Sequence, residues 1–225
     1  MAMQQAELLA LTTSEAAYIV QQTTAQVEKA IEAGPIKATV RKASRTSAPR
    51  RTLQFFDVVY LVAMAELKND FTPKARAKFY AALKKSTTVR AGTRAGGRVP
   101  LHFRPNVSFG QLKVDVTKYA RLVKGRMRDL ERLSNKVEFR SDHEPLIEGT
   151  SIEVHRIAAL LTGGASVDRA LDDYPSLTRE QVVFAEEYAR TRPKRGRPYP
   201  KLSVKHAMAE AAKIGLGDVL PSDDA

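Results

Sequence analysis

The chain has 225 residues, 43% of them hydrophobic and none of them Cys, so it can build one large core or two small ones but no disulfide or thiolate chemistry. Its formal net charge of +12 points to a polyanionic partner such as nucleic acid, with a solvated basic surface kept for solubility as the alternative. No apolar run reaches the ~20 residues of a membrane helix, and no charged segment precedes an apolar stretch at the start, so neither membrane insertion nor a signal peptide is expected, and a reducing cytoplasm is the expected setting.

Thr12 opens the first expected helix, with Glu15 three residues on to complete a capping box. Ala16, Ala17, Ile19 and Val20 form its apolar stripe. Gln21 to Thr23 read as a connector, Thr24 as the cap of a second helix with Val27, Ala30 and Ile31 inward, and Gly34-Pro35 as its end. A β-like stretch from Ile36 to Arg41, a basic loop from Lys42 to Arg51 and a strand from Thr52 to Phe55 then make a wing. Phosphate contacts are expected from Lys37, Arg41, Lys42, Arg45, Arg50 and Arg51 on that wing. The second helix offers Thr24, Gln26 and Lys29 to base edges, but also Glu28 and Glu32, which repel phosphate. The pattern Leu11-Thr12, Glu15-Ala16-Ala17, Val27, Ile31 and Gly34 resembles the winged helix-turn-helix of MerR-like regulators.

The charge is unevenly spread: residues 1–34 carry −3, residues 35–140 carry +18 and residues 141–192 carry −5. Within the basic block, Asp57 begins an apolar helix to Leu67, and Thr72-Pro73 starts another to about Lys85. Residues 86–105 read as a loop whose Arg and Gly do not match a nucleotide-binding P-loop. Leu112, Val114 and Val116 alternate as a strand does. From Val116 to Leu133 the apolar positions Val116, Tyr119, Leu122, Val123, Met127, Leu130 and Leu133 recur at spacings of three or four residues, giving an amphipathic helix whose stripe is either a packing face or a dimer seam.

After a short strand at Val137–Phe139 come three short helices. Gly163-Gly164 supplies positive φ, Ser166 a cap, Pro175 a stop, and Thr178 with Gln181 a second capping box. Gly149, Thr150, Ile152, Val154, Gly164, Ser166, Tyr174, Pro175, Leu177, Thr178, Tyr188 and Ala189 give this stretch a pattern that resembles the C-terminal domain of a family of VapB-type bacterial antitoxins. Ser151 and Glu153 depart from it, where the family more often has Arg and Pro. The resemblance implies a toxin partner, a PIN-domain ribonuclease, and an operator DNA that the antitoxin represses.

The hook Lys194-Arg195-Gly196-Arg197-Pro198 has an AT-hook pattern: Gly lets the backbone approach a narrow groove floor while two Arg run along it. The resemblance gives these residues a second use, pairing with a ribonuclease's metal-binding carboxylates, and a plain cationic linker is the third. Ser203 begins a thin apolar helix beyond. Asp172 and Asp173 are adjacent on a helix and point to different faces, and His102, His143, His155 and His206 lack ligand spacing, so neither a catalytic centre nor a metal or cofactor site is expected.

The expected fold is mainly α with a few short strands: a winged helix-turn-helix domain over 1–88, a basic linker with a strand and an amphipathic helix over 89–136, a three-helix helix-turn-helix domain over 137–192 and a flexible basic tail over 193–225. The expected function is that of a homodimeric, non-enzymatic antitoxin that binds operator DNA and a PIN-domain ribonuclease. The alternative is a DNA-binding transcription regulator or AT-hook architectural protein without a toxin.

Overall fold

A computed structural model describes residues 11–41, 50–88, 102–139, 144–194, 199 and 207–209. The chain is mainly helical with short strands, and it divides into two compact units, 1–131 and 132–225. Among the described residues, no helix is long and apolar enough to cross a membrane.

The first unit opens with β1 (Leu11–Thr12), α1 (Thr13–Val20) and α2 (Thr24–Ala33). Thr12 and Glu15 form the expected capping box on α1. On α2 the cap is Thr23, not Thr24: its hydroxyl accepts from the Gln26 N–H and the Gln26 side chain accepts in return. The connector is one residue shorter than expected, because Gln21 takes a left-handed conformation (φ 55°) and turns the chain at once. Gly34 ends α2 in extended backbone, not with positive φ. Glycine is needed there because a Cβ would lie 2.6 Å from the Ala30 carbonyl oxygen.

Strands β2 (Thr39–Arg41) and β3 (Arg50–Leu53) complete an antiparallel sheet in the order β1-β3-β2. Leu11 pairs with Leu53, and Val40 with Arg51. Helix α3 (Phe55–Leu67) starts two residues before the expected Asp57, which instead sits in its first turn and accepts the Gln54 N–H at 2.7 Å. Phe55 and Phe56 are drawn into the helix because both are buried. Helix α4 (Pro73–Ser86) follows the expected Thr-Pro start. The Tyr80 hydroxyl on α4 donates to buried Asp57 at 2.7 Å, tying the two helices together. Around that bond Tyr60 and Tyr80 meet edge to face at 5.2 Å, and Phe79 and Phe109 lie 5.5 Å apart.

The loop expected over 86–105 contains a strand pair, β4 (Thr87–Thr88) with β5 (His102–Phe103). The single strand expected before residue 116 is a hairpin, β6 (Asn106–Phe109) and β7 (Leu112–Asp115), turned at Gly110. Helix α5 (Thr117–Asn135) carries the amphipathic stripe. Its Tyr119, Val123 and Leu130 are buried within the first unit, Lys118 pairs with Glu66 of α3, and Arg126 donates to the Ile19 carbonyl of α1. Most of the stripe is thus a packing face of the first unit, with Leu122 left 38% exposed, and most of this helix belongs to that unit and not to a separate linker.

The second unit begins with β8 (Val137–Phe139) paired to β9 (Pro145–Ile147), a strand that the sequence pattern did not reveal because Pro145 and three consecutive buried residues hide the alternation. Helices α6 (Val154–Thr162), α7 (Val167–Asp173) and α8 (Arg179–Thr191) follow. The Ser166 cap and the Thr178–Gln181 capping box are both formed. Of the glycine pair, Gly164 alone has positive φ (95°). Ile147, Val154, Ile157, Val182 and Tyr188 fill this core, each at 2% exposure or less.

Candidate nucleic-acid interface

A helix-turn-helix needs a rigid second helix held at a fixed angle to the first. The Gln21 turn is fastened by its own N–H, which donates to Ala17 and Tyr18 carbonyls, and by the Gln22 N–H, which donates to Ala17 at 3.0 Å. Val27 and Ile31 then anchor α2, leaving Thr24, Ala25, Gln26, Lys29 and Glu32 exposed.

Gln26 is less free than its exposure implies. Its amide oxygen accepts from the Thr23 N–H at 2.8 Å and from the Thr23 hydroxyl at 3.2 Å. A bidentate Gln–adenine pair uses both the amide oxygen and the amide nitrogen. With the oxygen committed to the helix cap, only the Nε2 donors remain for a base. Thr24 and Lys29 keep their polar ends exposed.

Alternation on β3 decides the wing. Leu53 is fully buried, and in a strand residues two apart share a face, so Arg51 points with Leu53 toward the helices while Arg50 points away. Arg51 Nη1 lies 2.5 Å from Glu28 and 3.3 Å from Glu32 on α2. The hydrogen bonds that Arg51 donates, to Glu28 first and then to Glu32, push its pKa up. Of the expected phosphate ligands, Lys37 and Arg50 are exposed. Arg41 joins the ladder opposite Arg50, whereas Lys42 and Arg45 lie outside the described residues. The Arg51 pairing was readable in principle, because Leu53 fixes the strand's inner face and Glu28 and Glu32 are one helical turn apart. Two further cations that the sequence did not single out, Lys68 and Arg76, lie at the α3–α4 corner and line a groove with Gln26 and Lys29.

In the second unit, Lys194 and Tyr199 are held in place, which corrects the expectation of a wholly flexible tail. Lys194 Nζ pairs with Glu144 at 2.8 Å and sits 3.8 Å from the centre of the Tyr199 ring. The Tyr199 hydroxyl donates to Glu153. Burial works against the Lys194 charge, but hydrogen bonds with Glu144 and Tyr199 outweigh it and hold its pKa above the usual lysine range. Arg195, Gly196, Arg197 and Pro198 lie outside the described residues. His155 is buried beside Tyr188, with ring centres 6.0 Å apart, and burial lowers its pKa. It is a core residue here. Among the described residues, no group of His, Asp and Glu has the arrangement of a metal site.

Residues 143–189 match a family described as "Protein of unknown function (DUF433)". The chain is also similar to "Uncharacterized protein y4eO" of Sinorhizobium fredii (strain NBRC 101917 / NGR234), at 34% identity over 89 residues, which is 38% of this chain and 40% of that protein. The chain therefore spans less than half the length of this relative. No solved structure matches.

Proposed function

We propose that the chain is a DNA-binding protein that reads duplex DNA with the α2 helix and wing of its first unit. The observation that carries this reading is the capped, exposed α2 beside the β2–β3 wing, at the edge of a stretch with net charge +18. Lys29, Lys37 and Arg50 supply phosphate contacts and Thr24 contacts a base edge. Fluorescence anisotropy of the full chain on labelled genomic fragments tests it. Binding to all duplexes with a steep salt dependence, and tighter binding to one of them, is the expected result. Affinity that does not change with salt removes the reading.

In its fuller form the protein is the antitoxin of a type II pair that inhibits a PIN-domain ribonuclease and represses its own operon. Support comes from the residue pattern between Gly149 and Ala189, which falls on three helices, two of them capped by Ser166 and Thr178, and from the basic hook that follows them. Co-expression of a neighbouring PIN-domain ribonuclease with the full chain and with an Arg195→Ala/Arg197→Ala variant is the test. Protection by the full chain and its loss in the variant supports toxin capture by the hook. Toxicity unrelieved by the full chain leaves the DNA-binding regulator without a toxin. A chain cut after Arg192 is a poor control, because it also removes Lys194 and Tyr199 from the second unit.

A further inference from the structure

The first unit contains an open groove of about 690 Å³ between α2, α3 and α4. Leu61, Met64 and Ala77 give it an apolar floor, and Lys29, Lys68 and Arg76 stand around it. No carboxylate lines it, and no carboxylate pairs with these three cations among the described residues. Arg76 is also fixed in place: its Nε donates to the Phe71 carbonyl at 3.0 Å and its Nη2 to the Lys68 carbonyl at 2.6 Å. Those bonds orient the guanidinium and leave its other N–H groups unused.

We infer that this groove binds a small amphipathic anion, a carboxylate or sulfonate held by Lys68 and Arg76 on an aromatic or alicyclic body lying over Leu61, Met64 and Ala77. The size suits a single small molecule, since ligand pockets run from about 300 to 1,000 Å³ and are mostly apolar with a few placed polar groups. The charge suits an anion, because a preoriented guanidinium binds a planar oxyanion in a bidentate way with little further loss of side-chain freedom. The floor argues for an apolar body: a sugar–phosphate strand seated here would set hydrated groups against Leu61 and Met64 without covering them from water.

Because α2 contributes Lys29 to the groove, a bound anion occupies a cation that duplex DNA would otherwise use and sets its negative charge beside the DNA-facing helix. Occupancy and DNA binding are then mutually exclusive, a consequence that rests on the DNA-binding reading.

The probe is anilinonaphthalene sulfonate, titrated into the full chain by calorimetry, with uncharged phenylnaphthylamine as comparison. One site per chain and binding of the anion tighter by about tenfold or more is expected. Lys68→Glu lowers anion affinity by a similar factor, and Ala77→Trp, on the exposed side of α4, blocks both probes with circular dichroism unchanged. Equal binding of the uncharged probe, or anion binding unaltered in both variants, overturns the site. In a second arm, saturating anion is added to a complex with labelled duplex. Release of the duplex supports the regulatory role, and retention overturns it. A chain that binds no duplex at all overturns the DNA reading, while the titration still decides the groove.

Discussion

Arg51 on the wing strand lies within 2.5 Å of Glu28 on α2, with Glu32 at 3.3 Å on the next turn. One arginine of the wing is therefore spent on the helix that is proposed to enter the groove of DNA. The pairing fixes the angle between wing and helix, and it masks two carboxylates that would repel phosphate.

Replacing both acids, Glu28→Gln with Glu32→Gln, should raise non-specific DNA affinity and steepen its salt dependence by about one unit of log–log slope, as Arg51 becomes available to a phosphate. Arg51→Ala should weaken binding more than Arg50→Ala, because it also uncovers two negative charges. Anisotropy titrations between low and physiological salt measure both. Equal losses in the two alanine variants would mean that Arg51 acts as an ordinary phosphate ligand.

Lys29→Ala, Lys37→Ala and Arg50→Ala should each weaken binding on every duplex alike and reduce the salt slope by about one unit. Thr24→Ala should instead narrow the gap between preferred and random duplex, typically by ~1–3 kcal/mol for a lost base contact. The same titrations on both duplexes tell positioning from reading.

Tyr80 and Asp57 set a pH limit on the first unit. Burial first, and then the hydrogen bond with Asp57, raise the Tyr80 pKa well above that of a free tyrosine. The fold favours the protonated phenol, so its contribution is complete below about pH 10, the ordinary tyrosine value, and is lost as pH rises beyond it. Tyr80→Phe should cost about 1–3 kcal/mol at neutral pH, by leaving the Oδ1 atom of Asp57 without its donor, and should flatten the alkaline fall in stability relative to the unaltered chain. Urea denaturation between pH 8 and 11 on both proteins is the measurement.

His155 gives the second unit the opposite slope. Burial lowers its pKa, so its contribution is present above about pH 6.5, the ordinary histidine value, and is lost as pH falls through the lower folded-state value. His155→Gln should remove that acid sensitivity. Hydrogen exchange of residues 154–191 at pH 7 and pH 5 reads it directly; a variant as acid-sensitive as the parent would assign the effect to another group.

Helix starts were legible where a single side chain decides them. Thr12, Thr178 and Ser166 each cap as their sequence context indicates, because the hydroxyl and the residue three positions on suffice. Thr23 and not the expected Thr24 caps α2, because Gln26 stands three residues after Thr23 and completes a capping box, whereas Val27 follows Thr24 at that spacing. Strands were legible only when one face is wet. The three buried residues of β9 show no alternation, and β4 and β5 find each other across thirteen residues of chain. The site was half legible: charge marked the wing, but the orientation of Arg51 depends on a partner strand and on a helix more than twenty residues away.

Glu153 stands where the antitoxin pattern more often has Pro, and here it accepts a hydrogen bond from Tyr199. A proline at that position has no side-chain oxygen to offer. The bond therefore ties the start of α6 to a residue 46 positions further along the chain, and Glu153→Pro should release Tyr199 from it.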